Sequence, residues 1–371
     1  MTTVWDVAGW TPLAPLVRDV SADVCVVGLG GSGLTAVREL RAAGVSVVGI
    51  DAGSVAGGAA GRNGGFLLAG LAFAHHRMVD LLGRECAAQL HGLTLQEMAR
   101  IREATPAAVR MTGSLRIEDT ASGLADCALQ MSALQADGFA VTEYDGAEGR
   151  GLLFPNDGVL QPLARCRALA GGAGLHEGTP AVRIEPGRVT TPHGSIRCSS
   201  VLVCVDGRLE QLLPELAGVV RTVRLQMLAT APAPEVSVPR PVYLRDGYEY
   251  WQQLPDGRIA AGGFRDVGGD AEETTQTSTT PTVQAAIERH LRTRVGVTAP
   301  VVARWGASVG YTRTGLPFVG EVRPGVFAAG GYCGTGNVVG ALCARALVAL
   351  ATGADVPELA FGEVSAAHNC A

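Results

Sequence analysis

The sequence contains no lysine, so every one of its 30 positively charged side chains is an arginine. Without a lysine amine the protein cannot form a Schiff base, bind phosphate with a P-loop lysine or use lysine as a general base. Aromatic residues are also scarce, at 5% of 371 residues, and no basic run interleaves with them. We therefore expect no nucleic-acid surface.

Signals for disulfides, membrane spans and metals are missing as well. The nine cysteines form no CxxC pair and are odd in number, which favours buried free thiols in a reducing compartment. No charged n-region and apolar h-region open the sequence, so we expect no signal peptide. The most apolar helical segment, 338–350, contains Arg345 and is too short for a bilayer. The histidines have neither HxH nor HExxH spacing. We expect a soluble cytoplasmic protein with no membrane span and no metal.

Residues 23–51 carry the strongest local signal. An apolar, β-rich run at Val24–Val27 is followed by a glycine turn, a helical pattern over 34–43 and a second apolar run that ends at Asp51. Strand, glycine turn, helix, strand and acid form the dinucleotide-binding fingerprint. The turn supplies the predicted pyrophosphate contacts, which are Gly28, Gly30, Gly31, Ser32 and Gly33.

The end of the fingerprint indicates which dinucleotide fits. Asp51 follows Gly33 by eighteen residues and can accept hydrogen bonds from both ribose hydroxyls. An acid there would repel a 2′-phosphate, so NADP is disfavoured. Asp51 and the adjacent Ala52 are both predicted to contact the cofactor. The alternative left open by the residues is a glycine-rich strand–helix turn with no ligand.

Small residues dominate positions 52–65, which is typical of a flexible linker. However, the stretch ends in an arginine–asparagine pair framed by glycines, which favours backbone packed against a flat or anionic group. These residues are Gly61, Arg62, Asn63, Gly64 and Gly65.

The remaining chain alternates between helical and strand patterns. Helical spacing predicts helices over 85–95, 95–110, 121–135 and 162–170. Short strands are predicted between 181 and 205, and the last apolar run ends at Asp206 and Gly207 like a central parallel strand. A Pro-Asp-Gly turn between 243–253 and 258–262 predicts a hairpin.

Four motifs together resemble the glycine oxidase / D-amino-acid oxidase (DAO) superfamily of FAD-dependent oxidoreductases. They are VVGLGGSG at 26–33, GRNGG at 61–65, GLPFVG at 315–320 and GGYCGTGN at 330–337. Within that superfamily the chain is most similar to γ-glutamylputrescine-type amine oxidases. The resemblance implies an α/β protein with a Rossmann-like FAD-binding domain of the glutathione-reductase type. An interleaved α+β substrate-binding domain, built on an antiparallel sheet, would lie over the flavin.

The resemblance also implies domain bounds and further cofactor contacts. The FAD-binding domain would comprise 1–85, 150–208 and 300–371, and the substrate-binding domain 86–149 and 209–299. Segment 61–65 would lie beside the pyrophosphate and flavin, and Val182 would hold the adenine through its backbone. The other implied FAD contacts are Asp206, Gly207, Gly331, Tyr332, Gly334, Thr335, Gly336, Asn337 and Val338.

Candidate catalytic and substrate-binding residues follow from the same resemblance and from a cluster of aromatics. The catalytic candidates are Arg62, Tyr250, Arg265 and Tyr332. The substrate-binding candidates are Tyr248, Tyr250, Trp251, Arg245 and Arg313. The residues themselves leave alternatives open: sheet packing for the aromatics, a solvated hairpin arginine for Arg245, and a strand end for Asp206.

The chain departs from the resembling oxidases at three points. Val309 occupies the place of the arginine that clamps a substrate carboxylate in glycine and D-amino-acid oxidases. Tyr311, Thr312 and Arg313 stand where monomeric sarcosine oxidases carry the cysteine that links FAD, so we expect non-covalent FAD. The oxygen-activating lysine of those oxidases is absent, and Arg265 is a possible substitute.

These expectations define the predicted activity. The protein is expected to oxidise a C–N bond of an amine or N-substituted amino acid by hydride transfer to flavin N5, followed by imine hydrolysis and reoxidation by O2. One alternative is a glycine/D-amino-acid oxidase or dehydrogenase with a relocated carboxylate arginine. Another is a nicotinamide-dependent dehydrogenase or a redox sensor.

Overall fold

The computed structural model describes residues 3–6 and 9–368, which form two compact units. Unit 1 consists of 3–6, 63–161 and 224–307, and unit 2 consists of 9–62, 162–223 and 308–368. In chain order the strands are β1 (Val20–Ser21), β2 (Val24–Val27), β3 (Val47–Ile50), β4 (Phe66–Leu67), β5 (Val109–Arg110), β6 (Ser114–Glu118), β7 (Thr142–Gly146), β8 (Gly149–Phe154), β9 (Gly158–Leu160), β10 (Leu175–His176), β11 (Arg183–Glu185), β12 (Arg188–Thr191), β13 (Gly194–Arg197), β14 (Ser200–Val203), β15 (Arg221–Pro232), β16 (Val242–Leu244), β17 (Glu249–Gln253), β18 (Arg258–Gly263), β19 (Val301–Tyr311), β20 (Phe318–Arg323) and β21 (Val326–Gly330). The helices are α1 (Gly31–Ala42), α2 (His75–Leu82), α3 (Arg84–Ala104), α4 (Ala121–Ala136), α5 (Pro162–Leu169), α6 (Leu209–Leu212), α7 (Arg265–Gly268), α8 (Pro281–His290), α9 (Val339–Thr352) and α10 (Ala360–His368).

Unit 2 is built on a six-stranded sheet with the order β10-β3-β2-β14-β21-β20. The first five strands run parallel, and β20 is an antiparallel edge strand. All four residues of β2 are buried at the centre of the sheet, which confirms the buried strand predicted there. Helix α1 connects β2 to β3 and packs against α9. The carboxyl ends of these parallel strands therefore meet at one edge, where open α/β sheets bind their ligands.

Unit 1 is built on an eight-stranded sheet with the order β19-β15-β18-β17-β16-β6-β8-β7. Its hairpins pair antiparallel, whereas β16 and β6 pair in parallel. Helix α8 contributes Ile287 to a core that also contains Leu115, Ile117, Trp251 and Ile259. A separate three-stranded sheet has the order β4-β9-β5.

Two predicted elements differ from the structure. A single helix, α3, replaces the two helices predicted over 85–95 and 95–110, and it ends before Pro106, which cannot donate to a continuing helix. The predicted strand 243–253 is broken into β16 and β17, because the chain turns at Arg245–Gly247. Arg245 and Asp246 take left-handed φ values of 48° and 54° in that turn.

The unit bounds also differ from the predicted domain bounds. Residues 63–85 and 150–161 belong to unit 1, since β4 and β5 both pair with β9. Residues 300–307 belong to unit 1, whereas 209–223 belong to unit 2, where Leu209, Leu213 and Leu216 pack in its core. Strands as short as two residues carry too little pattern to reveal such pairings from sequence.

Eight cysteines lie in the part of the chain that the structure describes, and none of them forms a disulfide; Cys370 lies outside it. No single helix within 3–6 and 9–368 combines the length and apolarity of a membrane span. Helix α9 and residues 357–368 reach those values only as a pair, and the pair is bent by 101° at its break.

Candidate cofactor and substrate sites

The glycine turn after β2 leaves no room for side chains. A Cβ at Gly33 would lie 1.8 Å from the carbonyl oxygen of Gly28, and Gly28 itself takes a left-handed φ of 100°. Gly30 is the N-cap of α1 and offers no side-chain cap, and the first turn contains no acid. The first N–H groups of α1 and the positive end of its dipole are thus directed at an anion-binding position.

Asp51 stands at the carboxyl end of β3 and holds the turn together. Its Oδ2 accepts a hydrogen bond from Leu29 N at 2.8 Å, and its Oδ1 accepts one from Gly53 N at 2.8 Å. Burial raises the pKa of the Asp51 carboxyl, and the nearby Glu177 adds to that effect. Each carboxylate oxygen retains a second lone pair for a ribose hydroxyl.

Glu177 is a buried acid that the sequence analysis missed. Its carboxylate accepts hydrogen bonds from Trp10 Nε1 at 3.2 Å, Leu13 N at 2.7 Å and Val55 N at 2.6 Å. It therefore fixes both the N-terminal segment and the loop that follows Asp51. All three partners are more than 120 residues distant in sequence, so no local pattern signals this role.

The glycine-rich stretch after Asp51 is packed in unit 2 up to Arg62. A 3-10 turn spans Ala59–Gly61, and a Cβ at Gly61 would lie 2.4 Å from the carbonyl oxygen of Ala56. A Cβ at Gly30 would lie 3.2 Å from the Cβ of Ala60, so the stretch lies against the glycine turn. This close packing is unlike a flexible linker.

A buried arginine of α5 lies at the same place and was also missed. The Nη1 atom of Arg165 would lie 2.9 Å from a Cβ at Gly31, the first residue of α1. The side chain is 3% exposed. A guanidinium here adds positive charge next to the first turn of α1. This charge favours the binding of an anion there.

The segment Asn63–Gly65 belongs to unit 1 and forms a tight turn there. Asn63 Oδ1 accepts a hydrogen bond from Gly65 N at 2.8 Å, and Trp5 Nε1 donates to the Asn63 carbonyl at 2.9 Å. Gln252 of β17 donates to the Gly64 carbonyl. The backbone of the predicted GRNGG motif is therefore fixed on both sides of Gly64.

A second constellation lies at the carboxyl ends of β14 and β21. Asp206 is half-buried, and its carboxylate accepts hydrogen bonds from Gly310 N at 3.1 Å and Tyr332 N at 3.0 Å. Burial raises the pKa of Asp206 to about 6, although the surrounding N–H groups oppose that shift. Thr335 N and Oγ1 donate to the Tyr332 carbonyl, so the predicted loop to Val338 is an ordered turn before α9.

Two predicted site residues are buried in the cores of the units. Tyr332 is 4% exposed, and its ring packs against Gly336 and Gly340. Trp251 is 2% exposed and belongs to the core of unit 1. Packing is the role that the structure shows for both side chains, and the catalytic role of Tyr332 and the substrate role of Trp251 stay predictions.

The opposite face of β17 carries the other aromatic candidates. A Cβ at Gly64 would lie 3.1 Å from the Tyr250 ring, and Phe66 meets that ring edge-on at 5.9 Å. Tyr248 precedes the strand, and its hydroxyl accepts a hydrogen bond from Arg265 Nη2 at 3.0 Å. The Arg265 guanidinium also stacks 4.8 Å from the centre of the Tyr248 ring.

The remaining arginine candidates differ in their surroundings. Arg245 pairs with Glu249 at 2.7 Å and with Asp266 at 2.8 Å, so its charge is already balanced by two carboxylates. Arg313 is exposed in unit 2, and Val309 is buried there. The structure therefore does not present Arg245 as an anion site.

The backbone geometry is specific at Val182, a predicted contact, and at Cys333, which lies between the predicted contacts Tyr332 and Gly334. The N–H of Val182 donates to the Thr190 carbonyl at 2.8 Å, so only its carbonyl remains for an adenine. Cys333 takes a left-handed φ of 52°, and its Sγ accepts a hydrogen bond from Thr312 N at 3.3 Å. Among the described residues no group of three His, Cys, Asp or Glu side chains is arranged to bind a metal.

These features fit a dinucleotide. The first turn of α1 suits a diphosphate, Asp51 suits a ribose, and the tight glycine turn allows the backbone approach that a pyrophosphate needs. Sequence comparison identifies the dinucleotide. The family described as FAD dependent oxidoreductase (DAO) matches residues 23–350.

Individual relatives agree with the family match. The chain is 30% identical over 381 residues to a probable oxidoreductase, OrdL, of Rhizobium meliloti, covering 92% of this chain and 85% of the relative. It is 34% identical over 98 residues to the gamma-glutamylputrescine oxidoreductase of Escherichia coli, covering 25% of this chain and 22% of the relative.

Solved structures show the same fold. Glycine oxidase from Geobacillus kaustophilus superposes with a TM-score of 0.74 at 19% identity, covering 91% of this chain and 96% of that one. L-proline dehydrogenase from P. horikoshii gives a TM-score of 0.75 at 16% identity, covering 91% and 95%. The predicted α/β fold class and the predicted FAD cofactor are confirmed. The chain belongs to the DAO family of FAD-dependent oxidoreductases.

Proposed function

We propose that the protein oxidises a C–N bond in an amine or an N-substituted amino acid, giving an imine that water hydrolyses, with O2 as the final electron acceptor. The observation that carries this proposal is the buried, apolar Val309 where the resembling amino-acid oxidases clamp a carboxylate with arginine. The partial match to a gamma-glutamylputrescine oxidoreductase supports an amine substrate.

Unit 2 is proposed to bind the cofactor. FAD, when bound, supplies the acceptor for the hydride that leaves the substrate carbon. The first turn of α1 would bind the diphosphate, Asp51 would accept hydrogen bonds from the ribose, and the loop from Gly331 to Val338 would meet the flavin. Arg62, at the end of the packed glycine stretch, remains a catalytic candidate.

Unit 1 is proposed to bind the substrate. Tyr250 and Tyr248 present aromatic surface, and Tyr248 holds the Arg265 guanidinium through a hydrogen bond and stacking. An amine that binds unprotonated needs no general base, which agrees with the absence of a predicted histidine or aspartate base. Aromatic surface favours a larger amine through apolar contact and cation–π attraction.

Free α-amino acids should be poor substrates. An α-carboxylate must lose its water when it is buried, and an unpaired buried charge is prohibitively costly. Arg245 is balanced by Glu249 and Asp266, and Val309 offers no charge. The second candidate function, an amino-acid oxidase, is favoured by one observation: Arg265 is a half-buried guanidinium oriented by Tyr248.

Anaerobic stopped-flow reduction of the bound flavin tests the substrate class. We expect slow reduction by glycine and D-alanine and faster reduction by larger primary and secondary amines. Efficient reduction by glycine that Arg265→Gln abolishes would contradict the amine proposal and identify the carboxylate clamp. Peroxide formation during turnover in air distinguishes an oxidase from a dehydrogenase.

FAD is proposed to be held non-covalently, since Tyr311, Thr312 and Arg313 carry no suitable nucleophile. Acid precipitation should release all flavin into the supernatant. Flavin that stays in the pellet and disappears from it in Cys333→Ser would show a covalent link instead. The eight cysteines that the structure describes form no disulfide, which also supports the proposed cytoplasmic location.

A further inference from the structure

Asp206 connects three chain segments at the carboxyl edge of the sheet in unit 2. It follows β14, and its carboxylate accepts hydrogen bonds from Gly310 N at the end of β19 and from Tyr332 N after β21. The N–H groups of Gly207 and Gly331 also favour the ionised carboxylate. All the donors are backbone groups, so they are fixed by the fold rather than by side-chain rotamers.

The backbone at Asp206 has a strained conformation that a glycine would adopt without strain. Its φ is +57°, in the left-handed region where a side chain costs about 1 kcal/mol and glycine costs nothing. A Cβ at Gly310 would lie 2.9 Å from Asp206 Oδ1, so the backbone at Gly310 is packed closely against the carboxylate. Strain of this kind persists where the side chain has a specific task.

The hydrogen bonds of the carboxylate indicate its function, because they hold the start of a loop. Gly331 and Tyr332 begin the loop that runs to Asn337, and Thr335 returns two hydrogen bonds to the Tyr332 carbonyl. The ring of Tyr332 is locked against Gly336 and Gly340. A fixed Tyr332 backbone therefore fixes the whole loop.

We propose that the ionised carboxylate of Asp206 is a positioning residue for FAD, which holds the loop from Gly331 to Asn337 in the conformation that binds the cofactor. The inference rests on the proposed contact between this loop and the flavin. Asp206 acts through the loop and is not a base in the reaction.

Proton binding provides a specific signature of this role. A protonated carboxyl would direct an O–H into a ring of N–H donors and would accept their hydrogen bonds less well. Burial raises the pKa of Asp206 to about 6, so the change falls within a measurable range. We therefore expect the loop to loosen, and FAD to bind more weakly, as the pH falls through 6.

The buried phenol and thiols near Asp206 have raised pKa values. Tyr332 and Cys343 interact electrostatically with Asp206, and burial raises the pKa of each well above its usual value. Burial also raises the pKa of Cys204 to about 12. The other charged or titratable groups beside this site are the exposed Arg208, which follows in the chain, and Tyr311, which is next to Gly310.

Two substitutions separate the role of the carboxylate from backbone strain. Asp206→Asn and Asp206→Gly both tolerate a left-handed φ, but asparagine keeps one acceptor oxygen and glycine keeps none. Asp355→Asn removes an exposed acid of unit 2 and serves as the charge-matched control. The dissociation constant for FAD is measured on the apoprotein by flavin fluorescence between pH 5 and 8, with the apoprotein melting temperature at each pH.

The wild type and the control should lose FAD affinity below pH 6, by at most about tenfold per pH unit because a single proton is involved. Asp206→Gly should bind FAD about tenfold or more weakly at pH 7.5, with little change in melting temperature. The FAD affinity of Asp206→Asn should lie between those of the wild type and Asp206→Gly, and it should not depend on pH near 6.

Several outcomes would overturn the inference. The same pH profile in Asp206→Asn and wild type, or unchanged FAD affinity in Asp206→Gly, would show that Asp206 does not position the cofactor. A lower melting temperature with unchanged affinity would reveal a purely structural role. If Asp206→Gly fails to fold, the Asn profile alone decides. A wild-type apoprotein that binds no FAD would instead contradict the cofactor assignment itself.

Discussion

Each unit contains an aspartate that accepts hydrogen bonds near the ends of its strands, and the two differ in their donors. Asp157 is buried, whereas Asp206 is half-buried. Asp206 in unit 2 is surrounded by backbone N–H groups from three segments. Asp157 in unit 1 accepts hydrogen bonds from Ser114 Oγ at 2.6 Å and Ala69 N at 2.9 Å. Burial raises the pKa of Asp206 to about 6 and that of Asp157 to about 7.

The two carboxylates differ in the number of N–H donors around them. Each N–H that points at a carboxylate favours the ionised form and so opposes the effect of burial on the pKa. Asp157 connects loops that lie within unit 1 only, whereas Asp206 connects the segments at the proposed cofactor edge. We infer that buried polar groups of unit 1 mainly maintain the fold, and that those of unit 2 also prepare a ligand site.

The largest expected effect concerns the core of unit 1. Trp251→Ala should lower the free energy of unfolding by about 3–5 kcal/mol, because it empties a fully enclosed site in the core. Denaturant unfolding of the purified protein measures this change.

The matched variant on the same strand is Tyr250→Ala, whose side chain is half-buried. It should cost less stability and should raise the KM for the amine substrate. A Trp251→Ala protein of normal stability with a raised KM would reverse the assignment of the two faces of β17.

The second effect is a pH dependence of stability from Asp157. Its folded pKa of about 7 lies above the unfolded value near 3.9, so the folded state binds the extra proton between these pH values. The free energy of unfolding should therefore fall as the pH rises from 4 to 7, by up to about 4 kcal/mol from this group. Denaturant unfolding of the wild type and of Asp157→Asn between pH 4 and 7 measures the contribution of Asp157 to the free energy of unfolding.

Asp157→Asn keeps an acceptor for Ser114 and removes the titration, so its stability should fall less steeply with pH. Its FAD affinity should equal that of the wild type. An Asp157→Asn protein with weakened FAD binding would contradict the proposed difference in role between Asp157 and Asp206.

The third effect concerns FAD binding at the other end of the cofactor site. Asp51→Ala should weaken FAD binding by about 1–3 kcal/mol, because charge-assisted hydrogen bonds to ribose are lost. Titration of the apoprotein with FAD measures this loss, and Asp355→Ala is the exposed control. Unchanged affinity would show that Asp51 only supports the turn through Leu29 and Gly53.

The outcomes at these residues show what sequence can reveal. The glycine turn and Asp51 were predictable because their geometry is encoded within thirty residues of one βαβ unit. Glu177 and Arg165 were missed, since the groups they contact lie more than a hundred residues away. The surroundings of the aromatic residues depend on burial, which the sequence pattern does not reveal.

Two aromatic residues that are buried in the structure illustrate this limit. An alternating strand placed Trp251 and Tyr250 on opposite faces, but the pattern could not say which face is the core. Tyr332 lies in a motif that resembles a cofactor loop, yet its ring is used for packing against α9. The break at Arg245 was equally hidden, because two non-glycine residues take left-handed φ values there.

The smallest expected effect is at Arg245. Its two ion pairs lie at a partly exposed turn, where such pairs contribute less than about 1 kcal/mol. Arg245→Gln should therefore leave stability nearly unchanged. If the charge of Arg245 is already balanced by Glu249 and Asp266, this variant should also leave flavin reduction by glycine as slow as in the wild type. Arg265→Gln provides the contrast, since its guanidinium is stacked on Tyr248 beside the proposed substrate face. A large change with a carboxylate substrate in Arg245→Gln, and none in Arg265→Gln, would mean that the substrate anion displaces Glu249 or Asp266. The turn at Arg245–Gly247 would then belong to the binding site, and unit 1 would prepare a ligand site as unit 2 does.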